Sequence, residues 1–375
     1  MSQPDDFGFN EEAALLKSSA AKFFSEHFSA DKLHALVAQD PSPDRAPTVQ
    51  WDQALWQQMV DLGWTLLAVP EEQGGVGMPL VGVAGLAEEL GKAAFPCPLL
   101  ATLAASYVLT ACGEQGHGAL ADIVNGETAT LALSNATGSW SPADTNVVAE
   151  AGRLNGTACF VQDAGKVSRL LVCARSQQSL ELYWVAANAA GVQLQQDAIL
   201  DLTRDQAHIE FRDVEAQLVS GAAQDAMDAA LPAIWTLLAA DMVGAGEWQL
   251  QTTVDYVKQR QQFDHPLGFF QAVKHPLVNV MIAIDQAKSL VFNAACAVDC
   301  EPEKARQYAH MAKASASDMA VFASSRSVQC HGGIGFTWEC YVHLFFKRQK
   351  HSEMLWGNAA WHRARLAEIL IDAAA

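Results

Sequence analysis

Residues 128–134 read TATLALS, and there the apolar spacing of the chain changes from three and four residues to two. The same period returns in RLLVCA (169–174), LELYWVA (180–186) and AHIEFRDV (207–214). Asn155-Gly156 and Asp163-Ala164-Gly165 supply turn residues between the runs. Alternation broken by such residues predicts a small antiparallel β domain from about Gly126 to Ser220. On the N-terminal side the spacing is helical in EEAALLKSSAAKFFSEHF (11–28), WDQALWQQMVDLGW (51–64) and LVGVAGLAEELGKAA (80–94), with Pro70 and GGVG (74–77) as interruptions. On the C-terminal side it is helical again in LPAIWTLLAADMVGAGEWQLQTTVDYVKQR (231–260) and PLVNVMIAIDQAKSLVFNAACAV (276–298), long enough for a bundle of antiparallel helices. The expected division is a helical domain over 1–124, a β domain over 125–222 and a helical bundle over 223–375. An α+β chain of this order leaves a crevice where its three modules meet, the usual seat of a ligand.

Bulk composition narrows the function. With 375 residues, half of them hydrophobic and 18% charged, the chain can build a large core. A formal net charge of −18 opposes binding of nucleic acid. The opening MSQPDDFGFNEEAALL carries neither a basic region nor an apolar leader, and no run reaches about 18 uninterrupted apolar residues. The expectation is a cytoplasmic protein without membrane spans. Eight cysteines occur without a CxxC pair, as free thiols do in a reducing compartment. His265, His275, His331 and His343 lack ligand spacing, so no metal is expected. Glu88-Glu89, before Leu90-Gly91, reads as a solvated helix face near a helix end, and Lys347-Arg348 as a surface pair.

Residues 260–275, RQQFDHPLGFFQAVKH, put a cation, aromatic surface and an amide within a short span. Together with QCHGGIGFTWECYVHLFFKR (329–348), they resemble the two signature regions of the acyl-CoA dehydrogenase family. LGWTLLAVPEEQGGVG (62–77) and LAEELGKAAFPCPL (86–99) are similar to the family's N-terminal domain, and LDLTRDQAHIEF (200–211) to the end of its β domain. The resemblance implies the family fold, with an N-terminal helical domain, a β middle domain and a C-terminal four-helix bundle. It also implies FAD, oxidation of the Cα–Cβ bond of an acyl-CoA thioester, and electron transfer to an electron-transfer flavoprotein. In the family, the residues here numbered Arg260 and Phe263 contact the FAD of a neighbouring subunit, Gln271 packs near it, and Gln329, Gly332, Gly333 and Gly335 approach its adenosine end. A homodimer or homotetramer is then expected. The chemistry of the residues agrees, since a guanidinium forks onto diphosphate oxygens better than an ammonium does.

The sequence departs from the family at the proton acceptor. The family's usual glutamate position holds Trp356, and the alternative position, 26 residues before Arg260, holds Ile234. An indole has no basic site. Asp241 follows Ile234 by seven residues, and seven steps of about 100° return to nearly the same helix face. It is the candidate base, its carboxyl raised by burial among LLAA and MVGAG. The family's TEPGSGSD-like run reads ALSNATGSWSPAD (132–144), in which Ser134, Thr137 and Ser139 can still donate to a flavin ring. Some relatives with HGGIGFTWE pair two different chains around shared FAD sites, often for bulky thioesters such as degraded steroid side chains. Two readings stand: an enzyme using Asp241, or a half-site subunit of a heterotetramer with a second acyl-CoA dehydrogenase chain.

Overall fold

The computed structural model of the chain describes residues 4–39, 42, 46–177 and 179–372. The first of them form α1 (Glu11–His27), α2 (Ala30–Val37), α3 (Gln53–Asp61), α4 (Leu80–Ala93), α5 (Leu99–Ala111) and α6 (His117–Val124). Asn10, Ser29 and Asp52 start α1, α2 and α3 by accepting a backbone N–H three residues ahead, which satisfies a donor the helix cannot. Phe23, Phe24, Phe28, Trp64 and Phe95 then pack as one aromatic cluster of tilted and edge-on pairs.

The sheet follows: β1 (Ala129–Ala132), β2 (Val148–Glu150), β3 (Arg153–Gln162), β4 (Arg169–Ser176), β5 (Ser179–Ala186), β6 (Val192–Gln196), β7 (Gln206–Glu215) and β8 (Gln217–Ser220). Their order is β6-β7-β3-β2-β4-β5-β8, with β1 also on β4. The sheet is mixed rather than antiparallel, because β1 and β2 both run parallel to β4. Alternation reports which face is buried and is blind to strand direction; direction is set by the long returns from β1 and β2 to β4. Asn155-Gly156 is also no turn. It lies inside β3 at a register shift, where Gly156 has φ +125° and a Cβ would come 2.3 Å from the Asn146 carbonyl.

The C-terminal elements are α7 (Ala223–Gln259), the short hairpin of β9 (Gln261–Gln262) and β10 (His265–Pro266), α8 (Gln271–Cys300), α9 (Pro302–His331), α10 (Val342–Met354) and α11 (Ala359–Asp372). Helices α7, α8 and α9 pack on one another, and the fourth position of the bundle is broken into α10 and α11 at residues 355–358. Helices α7 and α8 are long and apolar enough to cross a bilayer, but the apolar window of α7 is 94% buried inside the protein. Its apolarity is that of a core helix.

Helix α7 meets α4 backbone to backbone. A Cβ on Gly91 would lie 1.9 Å from the Asp241 carbonyl, and one on Gly244 would lie 1.8 Å from the Glu88 carbonyl. The contact buries Glu88 and Glu89, contrary to the solvated face expected of them. Two lysines from distant helices pay for the burial of Glu88: Lys17 Nζ and Lys288 Nζ each donate to its Oε1 at 2.6 Å.

Candidate active site

An apolar cavity of about 60 Å³ opens where the three parts of the chain meet. Leu100, Ala101 and Ala104 of α5 form one wall, and Ile234, Leu237 and Leu238 of α7 another. The sheet contributes Thr130, Leu131, Phe160 and Gln162, and the break between α10 and α11 contributes Leu355 and Trp356. Both positions expected for a base, 234 and 356, therefore border this cavity and both are apolar. The polar features of the wall come from the ends of strands. Gln162 Nε2 donates to Gln206 Oε1 at 2.9 Å and to the Phe160 carbonyl at 3.1 Å, which leaves its own Oε1 buried without a partner. Arg204 Nε is likewise buried without a hydrogen bond. An orphan acceptor and an orphan donor between aromatic walls fit the uracil-like edge of a flavin.

Asp163 is the carboxylate in this wall. Burial pushes it up to about 6 against the pull of Lys166, whose Nζ lies 2.9 Å from both Asp163 Oδ1 and Asp205 Oδ1. It is thereby tied into an ion-paired cluster inside the sheet.

Asp241 does not face the cavity as a lone carboxylate. It is fully buried, with Arg204 Nη2 at 2.7 Å from Oδ2 and Arg348 Nη2 donating to Oδ1. Arg348 also donates to Thr203 Oγ1 at 2.9 Å, and Arg204 to Ser352 Oγ at 3.2 Å. Burial alone would raise the neighbouring Asp201, but His351, Arg348 and Arg204 hold it well below the usual carboxylate range. The heptad argument placed the residue on the right helix and could not see its partners, because Arg204 is 37 and Arg348 107 positions away. Asp241 is an anchor joining α7, α10 and the loop before β7. Arg348, expected at the surface, is 1% exposed. Its place beside the buried Leu344 and Phe345 on α10 was the available signal.

Two larger depressions lie outside this cavity. One, of about 760 Å³, runs between residues 137–144 and the bundle. Arg306 lies over the Trp235 ring and Arg365 over Trp361, their guanidinium carbons 5.9 and 5.6 Å from the ring centroids. Trp140 and Trp356 line both this groove and the cavity, and their rings stack at 4.9 Å and 30°. Ser134 reaches the cavity, but Thr137 and Ser139 do not, since their hydroxyls bond Asn135 Oδ1 and Asp144 Oδ2 within the loop.

The other depression, of about 460 Å³, brings Arg260, Gln329, Gly332 and Gly333 together with Arg326, Gln262 and Tyr256. Gly332 has φ +64°, and a Cβ on Gly332 or Gly333 would meet nothing within 4 Å, so the groove floor is bare backbone open to a ligand. Two guanidinium groups beside such a floor suit a diphosphate. Phe263, Gln271 and Gly335 are not in its walls. Phe263 is 82% exposed at the tip of the β9–β10 hairpin, where it and Asp264 both have positive φ as a two-residue I′ turn requires. Gln271 begins α8 and is exposed, whereas Gly335 is buried where a Cβ would come 3.0 Å from the Val328 carbonyl.

Comparison with known proteins names this arrangement. Residues 10–127 match the profile of the acyl-CoA dehydrogenase N-terminal domain and residues 225–371 that of the acyl-CoA dehydrogenase C-terminal domain. The chain is 30% identical to acyl-CoA dehydrogenase IpdE2 of Mycobacterium tuberculosis over 346 residues, covering 92% of this chain and 93% of that one. Among solved structures, the ChsE4-ChsE5 complex from Mycobacterium tuberculosis superposes with a TM-score of 0.86 at 25% identity over 98% of this chain and 99% of that one. A Tcur3481-Tcur3483 steroid ACAD superposes with a TM-score of 0.84 at 27% identity over 97% and 99%. The chain belongs to the acyl-CoA dehydrogenase family, oxidoreductases that act on acyl-CoA thioesters with FAD as cofactor.

Proposed function

We propose that the chain serves α,β-dehydrogenation of a bulky, ring-bearing acyl-CoA thioester in the cytoplasm, as one half of a mixed assembly with a second acyl-CoA dehydrogenase chain that passes electrons to an electron-transfer flavoprotein. The observation that carries the acyl-CoA reading is the shared wall: an apolar cavity and a groove of arginines over indoles meet at Trp140 and Trp356. The apolar lining of the cavity suits part of an acyl group. The groove suits the adenine nucleotide of CoA, with Trp361 as a flat surface and Arg306 and Arg365 as phosphate partners. The steroid ACAD and the two-chain ChsE4-ChsE5 complex among its structural relatives support the bulky acyl group and the mixed assembly.

FAD, when bound, supplies the two-electron acceptor for the hydride leaving the acyl β-carbon. The residues of this chain do the rest of what is assigned to it. Arg260 and Arg326 bind the diphosphate, Gly332 and Gly333 let it approach the backbone, and the exposed Phe263 reaches towards the neighbouring subunit. Asp241 is assigned to holding Arg204 and Arg348, since both its oxygens are taken by guanidinium groups and it does not line the cavity. With Trp356 and Ile234 at the two base positions, the proton acceptor belongs to the partner chain, and this chain completes the partner's cofactor site.

The chain produced alone, and then together with a homologue encoded beside it, tests this. Co-produced protein should carry flavin absorbance at native mass of a mixed oligomer and reduce flavin with acyl-CoA, while the chain alone does so at least about 100-fold more slowly, the scale of a lost general base. A yellow homomer that turns over at the full rate overturns the mixed assembly.

A further inference from the structure

The stacked indoles that separate groove from cavity are held in ways no packing argument requires. Trp140 stands on a loop laced to itself: Asn135 Oδ1 accepts from the Thr137 and Ser139 N–H groups at 3.0 and 3.3 Å, and Asn135 Nδ2 donates to the Asp144 carbonyl at 2.9 Å. Trp356 sits opposite, with a backbone φ of +57°, a conformation a bulky side chain keeps only when its surroundings impose it. Gly357 follows at φ +99°, so close beneath Trp361 that a Cβ would lie 2.5 Å from the ring.

The imposing groups come from below. Lys313 Nζ, in a fully buried side chain of α9, donates to the Glu353 and Gly357 carbonyls at 3.1 and 3.0 Å and to Ser317 Oγ at 3.2 Å. His362 Nε2 lies 3.1 Å from the Trp356 carbonyl, which can only accept, so this nitrogen carries the proton. Its Nδ1 then accepts from His310 Nδ1, 2.8 Å away. Burial keeps both imidazoles neutral, lowering His310 to about 4 and His362 to about 2. The backbone on each side of Trp356 is thus gripped by a buried amine and a buried imidazole pair.

We propose that Trp140 and Trp356 form a door between the groove and the apolar cavity, with Lys313 and His362 as the latch that keeps the Trp356 leaf closed. An acyl group coming from the groove reaches the cavity by parting the two rings, so the pair selects what enters from that side: a flat ring system can take the place of one indole against the other, whereas a flexible chain gains no such contact. What the door admits depends on the acyl-CoA reading above. Whether it closes does not, so its test uses no substrate.

Cys159 lies in the cavity wall and is 3% exposed, while Cys173 is buried in the sheet core and borders no cavity described above. Alkylation of the full-length chain by N-ethylmaleimide, followed at each cysteine by peptide mass spectrometry, therefore separates opening of the door from loosening of the fold. Trp356→Ala should raise the Cys159 rate about ten-fold, the order set by loss of a stacked aromatic pair, with Cys173 unchanged. Trp356→Phe should restore the parent rate. Lys313→Met should raise Cys159 labelling while leaving Trp356 in place, a selective effect that a merely structural lysine would not have. Equal labelling of Cys159 in Trp356→Ala and parent overturns the door. A rise at Cys159 matched by Cys173 in Lys313→Met overturns the latch.

Discussion

The two sides of the bundle use charge in opposite ways. Beside the cavity, Asp241, Arg348 and Asp201 are buried and pair with the half-buried Arg204 across α7, α10 and the loop before β7. At the groove of Arg260, the guanidinium groups of Arg260 and Arg326 stand exposed beside bare glycine backbone. Buried pairs fix geometry and punish the loss of one partner; exposed cations cost the fold little and remain free to bind. The network on α7 is a structural joint, while the groove beside Arg260 is open to solvent.

Breaking the joint should have the largest effect. Arg348→Met leaves Asp241 with Arg204 alone and should lower unfolding stability by about 3–5 kcal/mol, the usual loss when one member of a buried pair is removed. Urea denaturation followed by far-UV circular dichroism measures it, and a loss below about 1 kcal/mol would place the network among ornamental surface pairs. Acid should act next. His310 and His343 are buried and lowered to about 4, chiefly by desolvation. Between pH 6.5 and 4 the unfolded chain binds protons at both that the folded chain refuses, so stability falls with pH across that window. His310→Asn should flatten the fall in unfolding free energy, read from urea denaturation, by an amount on the order of 1 kcal/mol; an unchanged slope would mean the imidazole is protonated in the fold.

The fold was legible because periodicity reports burial, and burial is what the helices, the strands and their order share. TATLALS contains β1, and RLLVCA, LELYWVA and AHIEFRDV lie within β4, β5 and β7. Strand direction was not legible, nor the strand through Asn155-Gly156, since a turn dipeptide and a bulge use the same residues. Arg260, Gln329, Gly332 and Gly333, named through the family resemblance, line one groove because they flank the ends of neighbouring long helices. The burial of Asp241 was legible from LLAA and MVGAG, but its two partners were not, because they lie on other elements. Nothing local marks Lys313 as buried, for its neighbours Ala312 and Ala314 are as common on a helix surface as inside.

The smallest effect on stability should come from the open side. Arg260 caps α7 through its backbone, whose N–H bonds the Tyr256 carbonyl at 2.9 Å, and its exposed side chain takes no part in that bond. Arg260→Ala should therefore shift unfolding by no more than about 0.5 kcal/mol. FAD retention in the assembled oligomer should fall about ten-fold or more, because a bidentate contact to a diphosphate is lost. Arg260→Lys should recover only part of it, since an ammonium cannot fork onto two oxygens. Flavin absorbance per protomer after gel filtration reads both variants. If Arg260→Ala kept its flavin at parent level, the open groove would be a surface without a ligand, and the contrast with the buried joint would reduce to one between core and solvent.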